Sequence, residues 1–135
     1  MAEVSENELQ EVLDIVTAFY KKHVKSDEEV NVLLQKLSSM VQDQGTKLVH
    51  FGGTVFLTMV RDKGLIEFHP MYAEYDQDSL ARELDQFVDY AKSIGVKTIF
   101  TYTKPKDEYE DVIQAASPMF DMFEKDGKRI FIVGV

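Results

Sequence analysis

The spacing of apolar residues changes once along this chain, and that change limits the folds open to it. Up to Gly45 they recur at helical intervals: Leu9, Val12, Leu13, Val16, Phe19 and Tyr20, then Val30, Leu33, Leu34, Leu37 and Val41. That period places each set on one face of a helix, so two amphipathic helices come first. Ser5-Glu6-Asn7-Glu8 and Ser26-Asp27-Glu28-Glu29 stand ahead of the stripes. Both have the capping-box pattern, in which a serine hydroxyl and a glutamate three residues on satisfy otherwise orphaned amides. Lys21, Lys22 and Lys25 fall at the end of the first helix, where cations meet the negative end of its dipole.

After Gly45 the runs shorten and fill with β-branched and aromatic residues: Leu48 to Phe51, Thr54 to Val60 and Leu65 to His69. Gly52-Gly53 and Arg61-Asp62-Lys63-Gly64 lie between them as turn sequences, which predicts an antiparallel meander. Gly52-Gly53 would also admit a ligand backbone closely, although a tight turn explains the pair without one. Pro70 lacks an N–H and is expected to end the third strand or set it at an edge.

A third helix follows Tyr75-Asp76-Gln77-Asp78, with Leu80, Leu84, Phe87, Val88, Ala91 and Ile94 on one face and Gly95 as its stop. Lys97 to Thr103 reads as a strand, and Lys104-Pro105-Lys106 breaks it. Asp107 to Ser117 makes a short helix closed by Pro118. Met119 to Glu124 and Lys128 to Val135 form a hairpin about Asp126-Gly127. The expected order is ααβββαβαββ in one domain spanning 1–135, without repeats or a linker. The fold class is α/β (α+β), a mixed, mainly antiparallel sheet flanked by helices.

Twenty-four acidic residues against 15 basic ones give a formal charge of −9. Binding to a phosphate backbone is driven by cations that neutralise phosphates, so nucleic acid is not an expected ligand. The charge suits solubility or a basic protein partner, and the acids are too scattered for a decoy of DNA. Cysteine is absent, which removes thiolate chemistry, disulfides and cysteine zinc sites. His23, His50 and His69 show no ligand spacing, so no metal is expected. Gly-x-Ser-x-Gly and the P-loop are also missing. The sequence has no apolar run long enough to span a membrane, and Met-Ala-Glu-Val does not open a signal peptide. The expected setting is the cytoplasm, which for a viral protein means host cytoplasm or virion.

The element order resembles the GNAT acetyltransferase superfamily over nearly the whole length. Ala91-Lys92-Ser93-Ile94-Gly95-Val96-Lys97-Thr98-Ile99-Phe100-Thr101 is similar to that superfamily's passage from long helix to strand, and the Asp126-Gly127 hairpin is similar to its close. The superfamily's usual first strand, before the helices, has no counterpart here. Its pyrophosphate loop reads Gln/Arg-x-x-Gly-x-Gly/Ala, whereas this chain has Met71-Tyr72-Ala73-Glu74-Tyr75-Asp76-Gln77-Asp78-Ser79 at that place. That stretch holds no glycine and three carboxylates, which would repel a pyrophosphate while capping the helix themselves. Small phage-encoded GNAT-like proteins, some of them virion or assembly components, depart from the superfamily in a similar way.

Strand alternation puts Leu65, Glu67 and His69 on one face and Ile66 and Phe68 on the other. The resemblance nominates Glu67 as the base that deprotonates an amine, with His69 as a relay; a charged pair on a solvated face is the rival explanation. The general-acid tyrosine often carried on the fourth helix of these enzymes has no good counterpart. Tyr109 lies at that helix's first turn, and Val112, Ile113 and Gln114 fill the region expected to hold it. Met119, Phe120, Met122 and Phe123 suggest core or a dimer contact.

Two readings of function stay open. In the first, a non-catalytic GNAT-like domain acts through contacts with a protein, a basic partner or a second copy, without a cofactor, as a phage virion or assembly component would. In the alternative, an N-acetyltransferase uses acetyl-CoA through an atypical cofactor loop, with Glu67 and His69 as its catalytic residues.

Overall fold

The structure, a computed structural model, describes residues 4–116 and 119–135. A 3-10 turn, Glu6–Glu8, leads into α1 (Leu9–His23) and α2 (Asp27–Met40). The meander is β1 (Thr46–Phe51), β2 (Thr54–Asp62) and β3 (Leu65–Tyr72). Then come α3 (Gln77–Ser93), β4 (Thr98–Thr103), α4 (Tyr109–Gln114), β5 (Asp121–Lys125) and β6 (Lys128–Gly134). The strands make one six-stranded sheet in the order β1-β2-β3-β4-β6-β5. Every pairing is antiparallel except that of β3 with β4.

Alternation along the strands feeds two cores. Val55, Leu57, Met59 and Met71 face α1 and α2 and pack with Val12, Ile15, Val16 and Leu37. Phe56, Ile66, Phe68, Ile99, Phe131 and Val133 face the other way, against Leu80, Leu84, Phe87 and Val88 of α3 and Val112 and Ile113 of α4. Phe56 and Phe87 stack with centroids 4.4 Å apart at the centre of that second core.

Local chemistry accounts for where elements depart from the sequence expectation. Ser26 caps α2 as its capping box requires, accepting from the Glu29 amide at 3.2 Å. Ser5 bonds the Glu8 carboxylate instead of an amide, and the chain makes a 3-10 turn before α1 begins. β3 runs two residues past Pro70, because there the strand has an edge: its pairing with β4 has already ended. α4 starts at Tyr109, whose amide is held by the Asp107 carboxylate at 2.9 Å; its expected terminus at Ser117 and Pro118 lies outside the described residues. Phe120 turns into the core, so β5 begins at Asp121, two residues later than expected. Asp126 and Gly127 both have positive φ, 54° and 76°, as a type I′ hairpin turn demands.

Candidate active site

The sheet is open where its two parallel strands diverge. β3 pairs with β4 only at Leu65–Thr98, Ile66–Ile99 and Glu67–Phe100. β2 continues alongside β3 to Tyr72, and β6 alongside β4 to Thr103. Each strand therefore stays with its outer neighbour while the gap between them widens. A cleft of about 480 Å³ occupies this gap. Its lining includes Leu57, His69 and Met71 from the α1 side together with Tyr72, Thr101 and Tyr109 from the α3–α4 side, a mixture that only a break in the sheet exposes. Phe19, Tyr20 and His23 at the end of α1 form one wall.

Glu67 and His69 share a face, as alternation predicts, but their surroundings differ. Glu67 is 7% exposed at its side chain and has both oxygens engaged: Oε1 accepts from Arg61 Nε at 2.8 Å, and Oε2 is bonded to Nε2 of His69. Burial pushes the Glu67 carboxyl up, but the bonds from Arg61 and His69 outweigh it and hold the group below the ordinary carboxylate range. Glu67 is thus an anion behind the cleft, and His69 is the member of the pair that lines it. In the neutral tautomer that donates Nε2–H to Glu67, the lone pair is on Nδ1, which has no hydrogen-bond partner among the described residues. The imidazole is also braced edge-on by Tyr102, centroids 4.8 Å apart.

Two residues of the lining, Thr101 and Tyr109, carry buried hydroxyls. Thr101 is 1% exposed and Tyr109 is 3% exposed, and among the described residues neither Oγ1 nor the phenol has a partner. Buried hydroxyls are nearly always bonded, so this pair marks a place where something else supplies the partner. Burial, and then the neighbouring Tyr72 and Glu83, raise the Tyr109 phenol well above its ordinary range, and it keeps its proton. Tyr72, stacked on it at 5.8 Å, donates instead to Glu108 at 2.8 Å. Position on α4 alone argued against Tyr109, since the first turn of a short helix looks peripheral. Only the divergence of the strands brings that turn over the gap.

A second hollow, of about 460 Å³, lies at the start of α3. Glu11 and Asp14 of α1, Glu74 and Asp76 of the loop and Glu83 of α3 surround it without a cation among them. The expectation that the loop acids cap α3 is corrected in part. Asp76 is the N-cap, yet its carboxylate bonds no helix amide and accepts from Ser79 Oγ at 3.1 Å. Glu83 has a different task. Its buried carboxylate takes the Gly53 amide at 2.8 Å and Thr54 Oγ1 at 2.6 Å. Gly52 has φ +56°, and a Cβ there would lie 2.1 Å from Glu83 Oε2, so the close approach that two glycines allow is to this carboxylate.

The other histidines serve structure. His50 lies between the Glu8 carboxylate at 2.8 Å and the Gly52 carbonyl at 2.7 Å, and His23 bonds the Phe19 carbonyl. Among the described residues no group of three or more candidate ligands is placed to hold a metal ion, and no helix is long and apolar enough to cross a membrane.

No family model and no curated protein matches the sequence. Solved structures do match. Ribosomal-protein-alanine N-acetyltransferase from Brucella melitensis superposes with a TM-score of 0.68 at 11% identity, covering 98% of both chains. The fold is GNAT-like. PaiA N-acetyltransferase from Thermoplasma acidophilum, in complex with coenzyme A, gives 0.66 at 10% identity over 98% of this chain and 96% of its own. Campylobacter jejuni N-acetyltransferase PseH, in complex with acetyl coenzyme A, gives 0.63 at 17% identity over 98% and 93%. At such identities the GNAT-like scaffold is shared and the chemistry must be argued from this chain's own residues.

Proposed function

We propose that this protein is an N-acetyltransferase using acetyl-CoA, with its reaction centre in the cleft between β3 and β4. The observation that carries the reading is the pairing, in one gap, of two orphaned buried hydroxyls with a histidine oriented by a buried carboxylate. Neighbours of the same fold bind coenzyme A or acetyl-CoA, which supports this reading over a non-catalytic role in virion assembly.

Two parts of the donor have to be considered separately. An acylated pantetheine arm fits the gap, where Thr101 Oγ1 and the Tyr109 hydroxyl lack partners and amide or carbonyl groups would provide them. The diphosphate does not fit the start of α3 in the usual manner, because five carboxylates surround that hollow, and no step is assigned to it.

Bound in the gap, acetyl-CoA would supply an acetyl group activated as a thioester. His69 presents Nδ1 to the incoming amine and takes its proton, while the Glu67 anion fixes the tautomer and stabilises the imidazolium that results. Arg61 keeps Glu67 ionised and immobile. Tyr109 holds at its buried hydroxyl a proton that it can give to a departing thiolate. Base and acid thus come from opposite faces of the sheet, so amine and thiol need not cross.

The test is binding followed by turnover. Millimolar acetyl-CoA is expected to raise the melting temperature, since a ligand of the folded state alone stabilises it by RT ln(1 + [L]/Kd). Thiol release with an amine panel should then depend on His69. No stabilisation and no calorimetric heat with acetyl-CoA would return the protein to the non-catalytic reading.

A further inference from the structure

We infer that the amine acceptor is itself an anion, carrying carboxylate or phosphate close to the amine; this rests on the acetyltransferase reading of the cleft. Lys128 places Nζ 4.4 Å from the centroid of Tyr102, the ring that braces His69. Lys22, from α1 on the same side of the sheet, places Nζ 5.6 Å from the centroid of Tyr72. Lys104 follows β4 directly and lines the cleft. Among the described residues none of these three ammonium groups has an ion-pair partner, in a chain where acids outnumber bases 24 to 15. The one carboxylate in the lining, Asp107, is already occupied by the Tyr109 amide.

Two of these cations are held only over ring faces, and all three are free to meet an anion. They share the α1 side with His69, the proposed base, so the charge they attract belongs to the acceptor's approach. A cationic acceptor such as a polyamine or a lysine side chain would be repelled at the same mouth.

Three amines decide this: a triglutamyl peptide with a free α-amine, glucosamine 6-phosphate, and trilysine. The first two distinguish carboxylate from phosphate as the source of the charge. Expected is at least a tenfold higher kcat/KM for one or both anionic amines over trilysine, with the advantage falling as salt rises. Lys128→Glu with Lys104→Glu should raise KM for the anionic amine at least tenfold. Equal or better use of trilysine, or an unmoved KM in that variant, overturns the inference. Binding of fluorescein-labelled triglutamyl peptide without acetyl-CoA separates the two failures. If it binds and the double variant abolishes binding while acetyl-CoA never binds, the anion site stands and the acetyltransferase reading falls.

The free edge of β5 carries a second proposal that does not depend on the cleft. We propose that two copies join antiparallel along this edge, about Phe123. Lys125 and Lys128 flank the two-residue turn, so their backbone groups bond one another, and alternation aims those of Met122 and Glu124 outward. A two-fold axis at Phe123 would place Met122 opposite Glu124 of the partner subunit, and Asp121 opposite Lys125 of the partner subunit. The edge is therefore complementary to itself in hydrogen bonding and in charge. Phe123 and Met122 are 47% and 48% exposed, one on each face of the sheet, and both would be covered. Sedimentation velocity at high micromolar concentration is expected to show a dimer. Asp121→Lys and Lys125→Asp should each yield folded monomer, and the two together should restore the dimer. A monomeric parent, or a double variant that stays monomeric while melting like the parent, would refute this pairing.

Discussion

Two hollows flank the end of β3, close in size and opposite in charge. On the β4 side, the cleft of about 480 Å³ has histidines, tyrosines and unpaired lysines about it. On the α3 side, the hollow of about 460 Å³ has five carboxylates and no cation. The first resembles a reaction chamber; the second stands where a GNAT scaffold would ordinarily receive a diphosphate. The difference teaches that one scaffold can combine an open strand divergence with an acidic helix start beside it. The two features have separate physical causes, a short parallel ladder and a helix N-terminus, so they are free to change separately.

The largest effect that would break the comparison is on rate. His69→Ala should lower acetyl transfer at least about 10²-fold with acetyl-CoA affinity unchanged, the usual scale for a positioned base. Glu67→Gln should also lower the rate, and its activity should titrate differently with pH, because the amide no longer stabilises the imidazolium. Pre-steady-state thiol release measures both, and an unchanged rate in His69→Ala would leave the cleft without its base.

Next come the groups that shape the acidic side. Gly52→Ala forces a side chain into a left-handed backbone and onto Glu83, and Glu83→Ala strips a buried amide and a buried hydroxyl of their acceptor. Each should cost on the order of 2–3 kcal/mol in urea unfolding. A smaller contrast tests whether the loop acids serve the helix. Ser26→Ala should cost about 1 kcal/mol because Ser26 caps α2, whereas Asp76→Ala should cost clearly less because its carboxylate reaches no helix amide. Equal losses would restore capping as the purpose of the acids.

The finest effect is on acid stability. The Glu67 pKa lies below its ordinary 4.5 in the folded state, so its ionisation favours folding above that value. The contribution is lost as pH falls through the lower folded value. Glu67→Gln should therefore flatten the stability profile below pH 4.5 relative to the parent, as read by thermal melts across that range.

The order of elements was legible because period and turn chemistry are local: helical stripes before Gly45, alternation after it, and Asp126-Gly127 at the hairpin. The shared face of Glu67 and His69 was legible for the same reason. Their different surroundings were not, because these depend on Arg61 at the end of β2 reaching Glu67 and on which side chain meets the gap. Tyr109 and Thr101 were out of reach too, since a hydroxyl's lack of a partner is a property of packing and leaves no mark in spacing. Gly52 was read as a turn residue, but the carboxylate that excludes a side chain there comes from 31 positions along the chain. A local pattern cannot reveal it.

The brief contact between β3 and β4 also bears on how the molecule moves. β1–β3 and β4–β6 are two half-sheets, each with longer ladders inside, joined by three residue pairs and by the Lys97 and Thr98 amides bonding the Gly64 carbonyl at 2.8 and 3.0 Å. α3 and α4 span the join from one side and α1 reaches β3 on the other. The two strands are held together at the Gly64 end and are unpaired with one another toward Tyr72 and Thr103. Sub-global opening should begin at those ends, so amides near Tyr72 and Thr103 should exchange hydrogen sooner than those of Ile66 and Ile99. The cleft would then widen first where the two strands lack a shared ladder, and not at the Gly64 end.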